Sequence, residues 1–178
     1  LDTKSLHTYK FNEDLFKKIT VVPDGKNHGL VFILDWSGSM NNVLMDTLKQ
    51  LYNLIWFCRK VQIPYEVYAF TIDHPNQDKP RVSEVRDREI NIPDHFHLLN
   101  FFTHTTKSKD LDNQMLNIFR CAATFDWNIS TPFIEAPLGY RLSGTPLNET
   151  MVALRQILPQ FKKINNVEKV QCVVLTDG

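Results

Sequence analysis

Cysteine is scarce in this chain: Cys58, Cys121 and Cys172 are the only three in 178 residues, an odd count with no C-x-x-C pair. Neither a disulfide framework nor a cysteine zinc site fits that pattern, and reduced thiols in a cytoplasmic protein are the expectation. Neither sign of charge is in excess, since 20 basic residues balance 20 acidic ones at a pI near 7.2. That balance argues against a dominant footprint for nucleic acid or for an anionic membrane. No apolar run approaches the ~20 residues that cross a bilayer. A secretory leader, an internal repeat and a low-complexity tract are all missing. So are the G-x-S-x-G elbow of serine hydrolases and the H-E-x-x-H helix of zinc proteases. The first residue is Leu1 rather than methionine, which leads us to expect a piece of something longer. The length predicts one domain with a real core.

What the chain does contain is concentrated in one stretch, "GLVFILDWSGSM", Gly29 to Met40. Leu30, Val31, Phe32, Ile33 and Leu34 form a continuous apolar run, which reads as a strand buried on both faces. Asp35, Ser37 and Ser39 follow at alternate positions, so three oxygen-bearing side chains occupy the loop where that strand ends. A spacing of two lets both serine hydroxyls point the same way, and Gly38 is expected to ease the turn between them. The plain alternative is a polar turn after a buried strand.

Strands and helices alternate along the rest of the chain. Residues 1–28 read as a lead-in, with "FNEDLFKKITVV" helix-like and then strand-like before a turn at "PDGKN". Leu44, Leu48, Leu51, Ile55 and Cys58 recur at helical spacing, which predicts a helix from about Val43 to Lys60 with Trp56 in the core. "IPYEVYAFTI" predicts a second strand, and the order strand, helix, strand predicts a right-handed parallel crossover. Residues 73–93 are polar and proline-bearing and read as an inserted, exposed excursion with a short edge strand near Glu89 to Ile92. "FHLLNFFTHT" resembles another strand, "DLDNQMLNIFRCAATF" a helix, and residues 126–143 an irregular loop. In "TPLNETMVALRQILPQFKKI", Thr145 suits the N-cap and Pro146 the first helical position, with Pro159 kinking or ending the helix. "VQCVVLTDG" closes as a buried strand ending at Asp177.

Two apolar strands thus end in an aspartate, and a helix opens beside a threonine. In an open parallel sheet, ligand sites lie beyond the carboxyl ends of the strands, where strand order reverses. Asp35, Ser37, Ser39, Thr145 and Asp177 are expected to converge there. All five offer hard oxygen donors, which suit Mg²⁺, Mn²⁺ or Ca²⁺ rather than zinc or copper. His95 and His97 flank Phe96 with His104 nearby, but no cysteine accompanies them, and a strand or surface role is the expectation. Trp36, inside the Asp-Ser loop, is the candidate for contacting a partner.

"DWSGSM" resembles the D-x-S-x-S motif of von Willebrand factor A domains, "SGTPL" their threonine loop and "VVLTDG" their third, aspartate-bearing loop. The resemblance runs from Gly29 to Gly178. It implies a Rossmann-like, doubly wound, mostly parallel α/β sheet with helices on both faces. It also implies a metal-ion-dependent adhesion site that captures an Asp or Glu carboxylate of a partner protein. Ser37, Ser39 and, depending on conformation, Thr145 would be direct ligands, with Asp35 and Asp177 supplying charge and orienting water. A narrower resemblance, carried by "ILDWSGSM", a long helix and "YEVYAFT", is to the von Willebrand factor A region of cobaltochelatase large subunits. Related domains of magnesium chelatase also carry G-T-P-L. This implies work beside a ring-forming AAA+ ATPase, in a non-catalytic role.

Two features depart from the family. Asp35 and Thr145 lie 110 positions apart, longer than the usual spacing, which implies an insertion within 73–93 or 126–143. The family fold also continues beyond the strand ending at Asp177, so Val170 to Leu175 would form an open hydrophobic edge. Later strands or another polypeptide are expected to cover that edge, and residues 1–178 alone to be unstable. The competing enzyme reading is a haloacid-dehalogenase-like, Mg²⁺-dependent phosphohydrolase with Asp35 as nucleophile. Those enzymes need a second aspartate two residues on, and Ser37 occupies that place.

Overall fold

The computed structural model describes residues 27–73, 92, 96–126 and 135–177. The expected lead-in elements before Asn27, the excursion over 74–91, His95 and residues 127–134 of the irregular loop, Trp127 included, lie outside the described residues. Among the described residues the chain is α/β, with four strands in one mixed sheet and three α-helices.

β1 (His28–Asp35) forms from the continuous apolar run and lies inside the sheet. Alternate side chains of a strand point to opposite faces, so a strand that is apolar at every position must be covered twice. Phe32 and Leu34 join one core, where α1 (Leu44–Val61) and α2 (Ser108–Ala123) pack. Val31 and Ile33 join the other, where α3 (Leu147–Ile164) contributes Leu154 and Phe161. All four of these β1 side chains are at most 1 % exposed, and each such burial stabilises by about 1.5–3 kcal/mol.

The strand order is β3-β2-β1-β4, with β2 at Tyr65–Thr71, β3 at His97–Thr103 and β4 at Lys169–Leu175. β1 pairs parallel with both β2 and β4, whereas β3 pairs antiparallel with β2. The expectation of a mostly parallel sheet therefore holds for β2, β1 and β4 and not for β3.

α1 buries Leu44, Leu48, Leu51, Ile55 and Cys58, the residues whose spacing predicts it. It stops where Gln62 turns left-handed at φ 60°, with the Gln62 and Ile63 N–H groups donating back to the carbonyls of Arg59 and Cys58. That double bond pattern satisfies the last free carbonyls of the helix. Trp56 does not belong to the core, as the helical pattern suggests, but is 48 % exposed. It lies one position past Ile55, and a turn of 3.6 residues swings it away from the buried stripe.

α3 begins one residue later than the sequence predicts. Pro146 is the N-cap, and no side-chain bond caps the helix. Pro159 does not end it, since α3 continues to Ile164. The close fit of α3 on β1 depends on Gly29, where a Cβ would lie 2.5 Å from Cε1 of the Phe161 ring.

The apolar composition of β4 predicts a buried strand, but none of its seven residues is buried. It stands at the edge of the described sheet with β1 as its strand neighbour. Among the described residues no helix is long and apolar enough to cross a membrane. All three cysteines are free thiols. Burial pushes the Cys58 and Cys121 thiols up to about 11, so both stay protonated at neutral pH, while Cys172 is exposed.

Two outcomes follow from this packing. Gly29→Ala should lower stability by about 1–3 kcal/mol in denaturant unfolding, because the buried Phe161 ring cannot step aside. A thiol-alkylating reagent at pH 7.5 should label Cys172 in the native chain and reach Cys58 and Cys121 only after unfolding, as read by mass spectrometry.

Candidate metal centre

The parallel register sets Leu34 beside Leu175, so β1 and β4 leave the sheet together, at Asp35 and Thr176. Strand order turns at β1, with β2 on one side and β4 on the other. A crevice opens beyond the carboxyl ends of strands at such a point.

Asp35 ends β1 at that rim and is 1 % exposed. Its Oδ1 accepts the Ser37 backbone N–H at 3.0 Å, and its Oδ2 accepts the Thr176 hydroxyl at 2.8 Å. The first bond folds the loop back over the strand end, as an aspartate side chain does when it mimics a backbone turn. The second ties that loop to the end of β4. A 3₁₀ helix over Gly38–Asn42 follows, pinned by buried Met40.

The hydroxyls of Ser37 and Ser39 lie 3.0 Å apart, and the Ser39 hydroxyl donates to Asp177 Oδ1 at 3.1 Å. Ser39 has one proton and gives it to Asp177, so Ser37 is the donor in the serine pair. Ser37 is buried while Ser39 and Asp177 are exposed, so this directed chain runs from the protein interior to solvent. Four of the five residues expected to converge are brought together: Asp35, Ser37, Ser39 and Asp177.

Thr145 approaches by a different route. Ser143 forms a parallel bridge with Ser37, its carbonyl accepting from Gly38 N–H at 2.8 Å and its N–H donating to the Trp36 carbonyl at 3.3 Å. Thr145 stands two residues further on, exposed, and among the described residues no hydrogen bond joins its hydroxyl to the aspartates or serines. Because α3 starts without a side-chain cap, that hydroxyl is not spent on the helix.

The donor set fits a small hard cation. Metal–oxygen bonds of about 2.1 Å place neighbouring ligands of an octahedron roughly 2.9–3.0 Å apart. The 3.0 Å spacing of the Ser37 and Ser39 hydroxyls matches such an edge. Among the described residues no group of three or more His, Cys, Asp or Glu gathers anywhere. The donors here are hydroxyls and two carboxylates, a set that suits Mg²⁺, Mn²⁺ or Ca²⁺. His97 begins β3 and His104 follows its end, so these two described histidines stand at opposite ends of that strand.

Two expectations are corrected. Trp36 is no partner contact: it is 0 % exposed, its indole N–H donates to the Tyr140 carbonyl at 2.8 Å, and it packs edge-on against Phe101 and Phe125. Its neighbours Asp35 and Ser37 are buried as well, so the loop folds inward at this point. Gly38 is not needed for its conformational freedom. Its φ is not positive, and a Cβ there would meet only the Ser143 carbonyl oxygen, at 3.9 Å.

Sequence reasoning missed Thr176 and Asp73. Thr176 directly precedes Asp177, and aligning the two strand ends would have placed it beside Asp35. Asp73 lies two residues past β2, making a third strand that leads into an aspartate, but an intervening Ile72 broke the visual pattern.

Compared with family models, curated proteins and solved structures, the chain matches none.

If Trp36 holds the loop from within, Trp36→Ala should cost about 3–5 kcal/mol of stability in urea unfolding. Gly38→Ala should stay within about 0.5 kcal/mol of the parent chain. A near-neutral Trp36→Ala would contradict the structural role.

Proposed function

We propose that this chain is a metal-dependent protein-binding domain of the von Willebrand factor A type, with a Rossmann-like sheet and an adhesion-type metal site at its carboxyl rim. The observation that carries the reading is the directed line Ser37, Ser39, Asp177, with spacings of 3.0 and 3.1 Å, over a buried Asp35. In this reading Ser37 and Ser39 are direct ligands to Mg²⁺, Mn²⁺ or Ca²⁺. Thr145 joins them from the loop docked through Ser143, and Asp35 and Asp177 supply charge and orient bound water.

A divalent cation held chiefly by neutral hydroxyls keeps unneutralised charge and an accessible coordination position. A hard anionic oxygen is the matching ligand, and a protein supplies one as an Asp or Glu carboxylate. The partner we infer is therefore a protein presenting such a carboxylate. The likeness of "ILDWSGSM" and "YEVYAFT" to cobaltochelatase large subunits adds a ring-forming AAA+ ATPase as neighbour, with this domain in a non-catalytic role.

The phosphohydrolase reading needs Asp35 as a free nucleophile. Both of its oxygens accept bonds within the chain, and it is 1 % exposed, which favours the binding reading.

Titration calorimetry of the full chain with Mg²⁺ or Mn²⁺ tests the site. Asp35→Ala and Ser37→Ala should each abolish binding, and Ser39→Ala should weaken it at least about tenfold, or 1.4 kcal/mol. Unchanged binding in both Asp35→Ala and Ser37→Ala would sink the assignment. A generic phosphate ester with Mg²⁺ should not turn over, and turnover lost in Asp35→Asn would reverse the choice between the two readings.

A further inference from the structure

Asp73 takes no part in the cluster described above, yet it is a buried carboxylate, 8 % exposed, just beyond the carboxyl end of β2. Burying a charge is costly unless it is bonded, so its partners explain its presence. Its Oδ2 accepts the backbone N–H of Gly139 at 2.9 Å and that of Arg141 at 3.0 Å. Its own N–H donates to Thr71 Oγ1 at 3.1 Å, which fixes the carboxylate relative to β2. The Arg141 side chain is not its partner and pairs instead with Glu135 at 3.9 Å.

Of the two peptide N–H groups that Asp73 holds, that of Gly139 lies in a tight turn and that of Arg141 directly follows it. Tyr140 N–H donates to the Pro137 carbonyl at 3.0 Å, and Gly139 sits at φ 84°, a left-handed position that suits glycine. From this turn the chain runs directly into the metal-site loop. The Tyr140 carbonyl accepts the Trp36 indole, Ser143 bridges to Ser37, and Thr145 follows. The segment from Gly139 to Ser143 is thus gripped from one side by the Asp35–Ser39 loop and from the other by the end of β2, where the Asp73 carboxylate accepts two of its N–H groups and the Thr71 hydroxyl donates to the Arg141 carbonyl at 3.4 Å.

We propose that Asp73 is the positioning residue of this third loop: by binding the Gly139 and Arg141 amides it sets where Ser143 docks and hence where Thr145 stands relative to Ser37 and Ser39. The proposal rests on the metal-site reading above. It links the three parallel strands, since β1, β4 and now β2 each lead into one aspartate at the same rim. Those of β1 and β4 shape the cation's surroundings, and that of β2 acts through the backbone.

The test uses the full chain with Mg²⁺ as the probe, read by calorimetry, together with amide hydrogen exchange in the absence of metal. Asp73→Ala should raise the Kd for Mg²⁺ about tenfold, the usual scale for an outer residue that orients ligands. In the double variant with Thr145→Ala it should add less than about twofold to the loss from Thr145→Ala alone, because both changes remove the same contribution. Asp73→Asn, whose amide oxygen can still accept both N–H bonds, should restore affinity to within about threefold. Exchange of the Gly38 and Ser143 amides should quicken in Asp73→Ala while the β1–β4 ladder stays protected.

A Kd unchanged in Asp73→Ala, or losses that multiply fully with Thr145→Ala, would overturn the positioning role. So would unaltered exchange at Gly38 and Ser143, whatever the metal result. A parent chain that releases the loop in Asp73→Ala but binds no Mg²⁺ would overturn the metal reading beneath the proposal. Should Asp73→Ala fail to fold, Asp73→Asn with normal exchange but a Kd as poor as that of Thr145→Ala would also count against it.

Discussion

The parallel pairing of β1 with β4 is the constraint on which the site depends. Seven residue pairs run from His28 with Lys169 to Leu34 with Leu175, and the next residue on each strand brings a hydroxyl to a carboxylate. A one-residue slip of β1 would turn its side chains to the opposite face. Phe32 and Leu34 would then exchange cores with Val31 and Ile33, and Asp35 would no longer meet Thr176. The register is held by two apolar cores, so the geometry of a few polar oxygens at the rim is set by packing below them.

Polar groups at that rim are placed on a hydrophobic base. Trp36 sits between Asp35 and Ser37 in sequence and is buried against Phe101 and Phe125, while its indole N–H reaches the Tyr140 carbonyl. One side chain thereby ties the Asp-Ser loop to the aromatic core and to the segment that carries Thr145. Asp35 and Ser37, at 1 % exposure each, are held where water competes little for their bonds, so their orientation is set before any ligand arrives. Ser39 and Asp177 remain open to solvent and form the accessible end of the chain.

Much of the fold is legible from periodicity. The five buried positions of α1, the uninterrupted run of β1 and the aromatic and β-branched content of β2 each allow one regular element. Errors fall where neighbours in space decide. Trp56 is large and apolar but lies off the stripe, and β4 is apolar but stands at the described edge. The composition of β3 suits either direction, and the one cue to its antiparallel pairing is that the residues leading into it carry no helical crossover pattern, which a parallel partner would need. In the site, Asp35, Ser37, Ser39 and Asp177 were legible as oxygen donors at strand ends, whereas Thr176 and Asp73 were not, since their partners lie 141 and 66 or more positions away.

The amino-acid sequence by itself determined the strands, the helices and the hard-oxygen character of the rim, because these rest on local spacing and side-chain chemistry. Only the tertiary structure decided that Trp36 faces inward, that Gly38 is conformationally ordinary, and that Ser37, Ser39 and Asp177 form a line with one direction of donation. It also decided that the Thr145 loop hangs on Asp73 and Ser143. The physical reason is the same in each case: a hydrogen bond or a buried ring needs a partner within a few ångströms, and the partners are brought together by the sheet's crossovers rather than by the sequence.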